Sequence, residues 1–488
     1  MRTGVRAVFG WCAAWPALLL AQAEAVPPPS ATIPRYPLGE VVRRVESRSD
    51  RQQQYAVYLP SRYTPARRWP LLLLMDPRGQ ALIPLALVRE SAERLGYIVL
   101  SSYNTRSDEA VDPNRDALNA MLADAQQDFS LDERRFYLVG FSGTARAGWQ
   151  FGTELAGHVA GVIGVGAGLP NGARAPAPTG AGGPPFAFFG GAGTTDFNYD
   201  EVMRLDGVLD QLHWPHRVVA YPGPHTWPEA PVLAQALSWM ELQAMRTGLI
   251  DIGQGAVDSL FEADIRSARA LEQDGHPLDA LLRYRSAAAD YAGLHDTSGP
   301  AADTLRLSRT AGVRAERKRR AKIERRQFAY VTLMATYFAR LRNGTSKPEL
   351  LSQALEHLDV PAMQRLAADR GNRDEADAAQ RRLEHLLVMT AFYEPRDRFQ
   401  RNDPGGALGM IDIARKIRPD TPYLCYDQAR ALAALNRIDE AMAALACWLR
   451  TGNMTAAELE ADPNLAPLRG QPEFIRLRDG LGARGGRE

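Results

Sequence analysis

Arg135-Phe-Tyr-Leu-Val-Gly-Phe-Ser-Gly-Thr144 carries an apolar strand, Arg135 to Val139, straight into Gly140-Phe141-Ser142-Gly143-Thr144, and a helical pattern begins near Ala145. Strand, tight turn and helix in that order make a nucleophile elbow. The turn is so tight that the residues flanking the serine must be small. It holds Ser142 Oγ above the sheet at the tip of a helix, where the dipole and the free N–H groups favour a developing oxyanion. Thr144 stands where the G-x-S-x-G pattern has its last glycine. A side chain must therefore pack between strand and helix, and a slightly displaced elbow is expected. The competing reading is an ordinary strand-to-helix turn with an idle serine.

Outward from the elbow, short apolar runs alternate with helical patterns, the sequence form of a mostly parallel sheet covered by helices. Strands are predicted at Tyr55–Leu59, Leu71–Met75, Tyr97–Ser101, Arg135–Val139, Val159–Gly164, Pro185–Phe189 and His216–Ala220. Residues 38–248 read as one α/β domain. From about Asp251 the strand signals stop and Ala, Leu, Arg and Glu take over at helical spacing, so 251–488 is expected to be all helix. Within it Ala407, Ile411, Ala414 and Pro419 recur 34 positions later as Ala441, Leu445, Trp448 and Asn453. Ala429, Leu432, Asn436, Ile438, Ala441 and Leu445 resemble one tetratricopeptide unit, and Ala268, Leu271, Gly275, Ala280, Tyr284 and Ala287 fit the same register. The resemblance implies a degenerate helical-repeat domain.

The chain has 488 residues, 45% hydrophobic and 24% charged, which is globular composition with room for two or three cores. Its formal net charge of +1 provides no global attraction for nucleic acid or an anionic membrane. Residues 1–25 read as a secretory signal: Arg2 and Arg6, an apolar run from Phe9 to Leu20, then Ala21-Gln-Ala23 or Ala23-Glu-Ala25 for cleavage. The run is too short, and too broken by Pro16, to span a bilayer. Export to the periplasm or beyond is therefore expected, followed by a Pro-rich linker over 26–37. Cys12 lies in the signal, which leaves Cys425 and Cys447 equidistant from an expected turn at Asn436. Facing helices there allow either a disulfide or two buried thiols.

A serine alone is a weak nucleophile and needs a base that is itself oriented by an acid. His225 follows the strand His216–Ala220 within Tyr221-Pro-Gly-Pro-His-Thr-Trp227, a loop before a helix. His158, His213 and His216 precede strands, at the wrong end of the sheet, and the other four histidines lie in the helical half. The acid is expected after the preceding strand, where Phe188-Phe-Gly-Gly-Ala-Gly-Thr-Thr-Asp196 offers Asp196. Asp200 and Glu201 are runners-up that better suit the start of the next helix. An oxyanion hole would use the N–H of Gly143 and one from Asp76-Pro77-Arg78-Gly79-Gln80. Proline has no N–H, which leaves Arg78 or Gly79.

Taken together, the Leu71–Gly79 segment, the elbow, the Asp196 loop and the His225 loop resemble the α/β-hydrolase superfamily, and within it the lidless esterases related to polyhydroxyalkanoate depolymerases, feruloyl esterases and dienelactone hydrolases. The resemblance spans roughly the first half of the chain, and Asp76-Pro77 departs from the His-Gly pair common in relatives. It implies cleavage of a small-molecule or polymer-end ester through an acyl-enzyme on Ser142, with His225 relaying the proton, Asp196 holding the imidazole and no cofactor. The Leu169 to Gly183 link is too Gly/Pro-rich to fold as a cap, so an open site is expected unless the helical half leans over it. No spacing suggests a metal. The basic run Arg314 to Arg326 reads as a solvated helix face, and neither nucleic acid nor stable membrane insertion is expected. A different reading is a hydrolase-fold scaffold that has lost activity and binds a protein partner through its repeats; Thr144 and Asp76 are the residues that favour it.

Overall fold

The computed structural model describes residues 34–107, 112–170, 184–343, 348–419, 421, 423–450 and 454–485. The expected signal, most of the linker, most of the 169–183 link and Asn453 lie outside the described residues.

Eight strands form one sheet: β1 (Val41–Glu46), β2 (Gln54–Tyr58), β3 (Trp69–Met75), β4 (Ile98–Ser102), β5 (Leu131–Phe141), β6 (Val159–Val165), β7 (Ala187–Gly193) and β8 (His216–Tyr221). Their order is β1-β2-β4-β3-β5-β6-β7-β8. β1–β2 and β2–β4 pair antiparallel, and every other pairing is parallel. The strand β1 was not foreseen, because Val41-Val-Arg-Arg-Val-Glu46 is a half-exposed edge without clean alternation. β7 starts later and runs on through Gly190-Gly191-Ala192-Gly193, which reads as loop because glycine weakens strands. That leaves Asp196 just beyond the strand's carboxyl end.

Successive side chains on a strand point to opposite faces, and both faces here are apolar. Leu71, Leu73 and Met75 share one core with Leu118, Met121, Trp149, Leu205 and Leu209, from α2 (Asn114–Asp128), α3 (Gly143–Glu154) and α4 (Tyr199–Gln211). Leu72 and Leu74 face Leu85, Val88, Leu233 and Leu237, from α1 (Leu82–Leu95) and α5 (Ala230–Arg246). Burial on both sides explains the continuous hydrophobic runs of the central strands.

Beyond Asp251 the described residues are helical: α6 (Gln254–Gln273), α7 (Pro277–Asp290), α8 (Ser298–Ser308), α9 (Ala311–Asn343), α10 (Pro348–His357), α11 (Val360–Ala367) and α12 (Arg373–Val388). A π-helical turn, Met389–Tyr393, leads into α13 (Glu394–Gln400), α14 (Pro404–Ile417), α15 (Tyr423–Ala434) and α16 (Ile438–Leu449). α17 (Ala456–Ala461) and α18 (Pro472–Gly485) follow. The pairs α6/α7 and α15/α16 turn at Gly275 (φ 79°) and Asn436 (φ 57°), the two places expected. Ala268, Ala280 and Ala287 in one pair, and Ala429, Ala441 and Leu445 in the other, have no exposed surface. Between the pairs α9 alone spans 33 residues. Cys425 and Cys447 form a disulfide across α15 and α16, with Cα atoms 5.9 Å apart.

The change at Asp251 is one of secondary structure, and packing continues across it. Val257, Ala287 and Tyr291 join the sheet's α1/α5-side core. Arg217 on β8 is 4% exposed. It binds Asp264 of α6 (2.7 Å) and Asp290 of α7 (2.7 Å). Burial alone would lower the Arg217 pKa, but the two carboxylates outweigh it and hold the guanidinium charged. Among the described residues no helix is long and apolar enough to cross a membrane.

Candidate active site

The sheet order, with its antiparallel start and six parallel strands behind it, is that of the α/β-hydrolase fold, whose functional groups sit at the carboxyl ends of the parallel strands. Ser142 lies between β5 and α3 with φ 55° and ψ −126°. A non-glycine residue held there costs on the order of 1–3 kcal/mol and persists only where its surroundings over-determine it. At Gly140 a Cβ would collide with the backbone of Thr144, so the close strand–helix approach demands glycine.

Thr144 turns out to help hold the elbow. It is fully buried, and its hydroxyl donates to Met75 O (2.6 Å) at the end of β3, with Phe141 O 2.8 Å away. The same oxygen accepts from Phe141 N–H (3.1 Å). Thr144→Val keeps the volume and removes these bonds, so a loss of about 1–3 kcal/mol is expected from the unsatisfied buried groups. A urea melt of the full chain checks this; an unchanged midpoint would mean that the hydroxyl does not hold the elbow.

The three polar residues singled out in the sequence converge. His225 Nε2 lies 2.9 Å from Ser142 Oγ, and His225 Nδ1 lies 2.9 Å from both carboxylate oxygens of Asp196. Asp196 is completely buried and accepts a further bond from Asn198 N–H (2.7 Å). An acceptor-only carboxylate at Nδ1 places the imidazole proton there and leaves Nε2 as the acceptor facing Ser142. The imidazole lies against two rings, Phe141 (4.6 Å) and Phe197 (4.3 Å between centroids). The runners-up are occupied elsewhere: Asp200 pairs with Arg381 (3.3 Å), and Glu201 takes a bidentate bond from Arg146 (2.6 and 2.8 Å). His216 bonds Trp214 O (2.7 Å) and Asp206 (3.4 Å).

The loop after β3 departs from expectation. The N–H of Arg78 donates to Asp76 Oδ1 (2.8 Å) and that of Gly79 to Asp76 O (3.1 Å), so both amides expected to face an oxyanion close their own turn instead. Asp76 organises this corner: its carboxylate also accepts from Gln80 N–H (3.0 Å) and from the indole of Trp227 (2.8 Å), tying the loop to the His225 loop. Gly143 stands at the first turn of α3, where helix N–H groups have no intrahelical partner.

The helical half reaches the site. Arg381 of α12 donates to Thr194 O (2.7 Å) in the Asp196 loop and lies over the Tyr199 ring (4.5 Å). One turn on, the His385 ring lies 5.8 Å from that of Phe197 between centroids, and burial pushes its pKa down to about 4. Phe197 adjoins Asp196 and was within reach of a sequence reading, but the contribution of α12 had no local signal. A meeting of His276, Asp279 and Glu316 was likewise hidden from spacing; their ligand atoms lie within 4.8 Å of one another. Arg320 already bonds both carboxylates there (2.6 Å each).

No protein-family model matches the chain, and no curated protein matches it. Solved structures similar to it include a fluorophosphonate-binding serine hydrolase F of Staphylococcus aureus, at 15% identity and TM-score 0.33, covering 41% of this chain and 97% of that one. A carboxylesterase of Bacillus cereus is 18% identical at TM-score 0.31, covering 40% of this chain and 96% of its own. An esterase of Pyrobaculum calidifontis is 14% identical at TM-score 0.33, covering 44% and 88%.

Proposed function

We propose that this protein is an exported serine hydrolase that cleaves a carboxylic ester through an acyl-enzyme on Ser142. The observation that carries the reading is the unbroken hydrogen-bond chain from buried Asp196 through His225 to Ser142 Oγ, with the serine held in a strained conformation at a helix tip. In this reading Ser142 Oγ attacks the ester carbon while its proton passes to His225 Nε2. Asp196 stabilises the imidazolium, and His225 then protonates the leaving alcohol. Water, activated by the same histidine, releases the acid. The expected signal at 1–25 supports export, and the Cys425–Cys447 bond suits an oxidising compartment.

Labelling of the purified full-length mature chain with a fluorophosphonate tests the reading. Peptide mapping is expected to place the adduct on Ser142, with Ser142→Ala and His225→Ala unlabelled. A folded wild type that takes no label would leave the alternative, a hydrolase-fold scaffold that binds a protein partner through its helices.

A further inference from the structure

The near-zero net charge of the chain hides an uneven distribution, for between Arg314 and Arg326 helix α9 carries eight cations and two acids. The fold sorts them into two sets. Arg319 pairs with Asp374 (2.8 Å), Arg320 with Asp279 (2.6 Å) and Arg326 with Glu375 (2.8 Å), which fastens α9 to α7 and to the start of α12. Both acids are already taken: Glu316, buried, by Arg320 (2.6 Å), and Glu324 by Arg204 of α4 (3.4 Å).

The other five cations, Arg314, Arg317, Lys318, Lys322 and Arg325, are exposed, and among the described residues none of them pairs with a carboxylate. Arg314 donates to Arg309 O (2.7 Å). At helical spacing the five and Phe328 fall within an arc of about 140°, along about 21 Å of the axis. Val313 and Ile323, on the other side of α9, are buried. Arg314 and Lys318, then Lys318 and Lys322, stand four apart, a like-charge spacing that weakens a helix. A neighbouring anion would relieve it. At the end of the row Phe328 is 67% exposed, and Leu333 beyond it is 38% exposed.

We infer that this face of α9 is a peripheral docking surface for an anionic lipid bilayer, with the cations on headgroup phosphates and Phe328 entering the acyl boundary. The inference does not depend on the chemistry at Ser142. Within the arc from Arg314 to Phe328 there is no amide, hydroxyl or carboxylate, so the row lacks the directional groups that would specify one protein partner. Lysine is also depleted in protein–protein interfaces. A fluid headgroup layer can rearrange to meet such a row, and basic residues beside an exposed aromatic ring are what an interfacial helix presents. The contact is with the surface alone: among the described residues no helix is long and apolar enough to cross a membrane.

The test is co-sedimentation of the full-length mature chain with vesicles of phosphatidylglycerol and phosphatidylcholine in equal parts, against vesicles of phosphatidylcholine alone. Wild type is expected to bind the anionic vesicles at low salt, to ignore the neutral ones, and to be released as salt shortens the reach of the charges. The triple change Arg317→Glu, Lys318→Glu, Arg325→Glu should weaken binding about 10²-fold or more, since each basic residue near the surface contributes about fivefold. Phe328→Ser should weaken it about tenfold. Thermal melts matching wild type confirm that both variants are folded, and Arg317→Gln, Lys318→Gln, Arg325→Gln replaces the triple variant if charge reversal disturbs α9. Equal binding to both vesicle types, or anionic binding that survives the triple change, would overturn the inference. Binding unaffected by Phe328→Ser would also overturn it, as would a wild type that ignores the vesicles but binds poly-L-glutamate in a salt-dependent way, the result expected of a site for an acidic protein.

Discussion

Asp196→Asn is expected to lower ester turnover about 10⁴-fold at neutral pH without unfolding the protein. The carboxylate has no exposed surface, and both its oxygens lie 2.9 Å from His225 Nδ1. An asparagine of the same shape can turn its NH₂ toward Nδ1. The imidazole proton then moves to Nε2, where it faces Ser142 and blocks the base. Binding and any oxyanion stabilisation survive, so KM should change little beside kcat. Steady-state kinetics with an activated ester, alongside a thermal melt, measure both quantities. A fall of less than about tenfold in kcat would remove Asp196 from the role, since the tautomer argument allows no such mild effect.

The second large effect is on stability. Arg217→Met should cost about 3–5 kcal/mol, because it leaves two carboxylates in the interior with their main cation gone. Arg217 binds Asp264 through both terminal nitrogens (3.2 and 2.7 Å) and Asp290 through Nε and one terminal nitrogen (3.1 and 2.7 Å). The remaining partners are weaker substitutes: Arg283 reaches Asp264 at 3.4 Å, Gln243 reaches Asp290 at 3.2 Å, and Tyr291 donates to Asp264 at 3.0 Å. A total of about 5–15 kcal/mol is typical of folded proteins, so the variant should melt markedly earlier. The double change Arg217→Met, Asp290→Asn should recover much of the loss, since it leaves Asp264 paired with Arg283 and no charge in the cluster uncompensated. Denaturant midpoints of the three proteins check this, and a single variant as stable as wild type would show that the cluster is not a structural joint.

The elbow was legible because its constraint is local. Gly140, Ser142 and Gly143 occupy one turn, and the positive φ and close approach there admit few residues. Asp196 and His225 were legible because each closes an apolar strand, and the chain order of a parallel sheet decides which strand ends share an edge. The half-polar edge strand β1 and the glycine-rich end of β7 read poorly, since neither shows the alternation or the β-branched density that marks a strand. Thr144 looked like a defect, because its value lies in a bond to Met75 O, 69 positions earlier.

The sequence by itself determined the layered α/β half, the helical half and the three residues of the Ser142 hydrogen-bond chain, all through periodicity and motif order, which act within a few residues. Only the tertiary structure decided that Asp76 closes the amides of its own loop, that Ser107 lies against Gly143, and that Arg381 reaches back 187 positions to Thr194 O. Those contacts join residues from separate elements, and their partners are set by how the elements pack and by the need to satisfy each buried polar group. Neither leaves a mark on the residues next door in the chain.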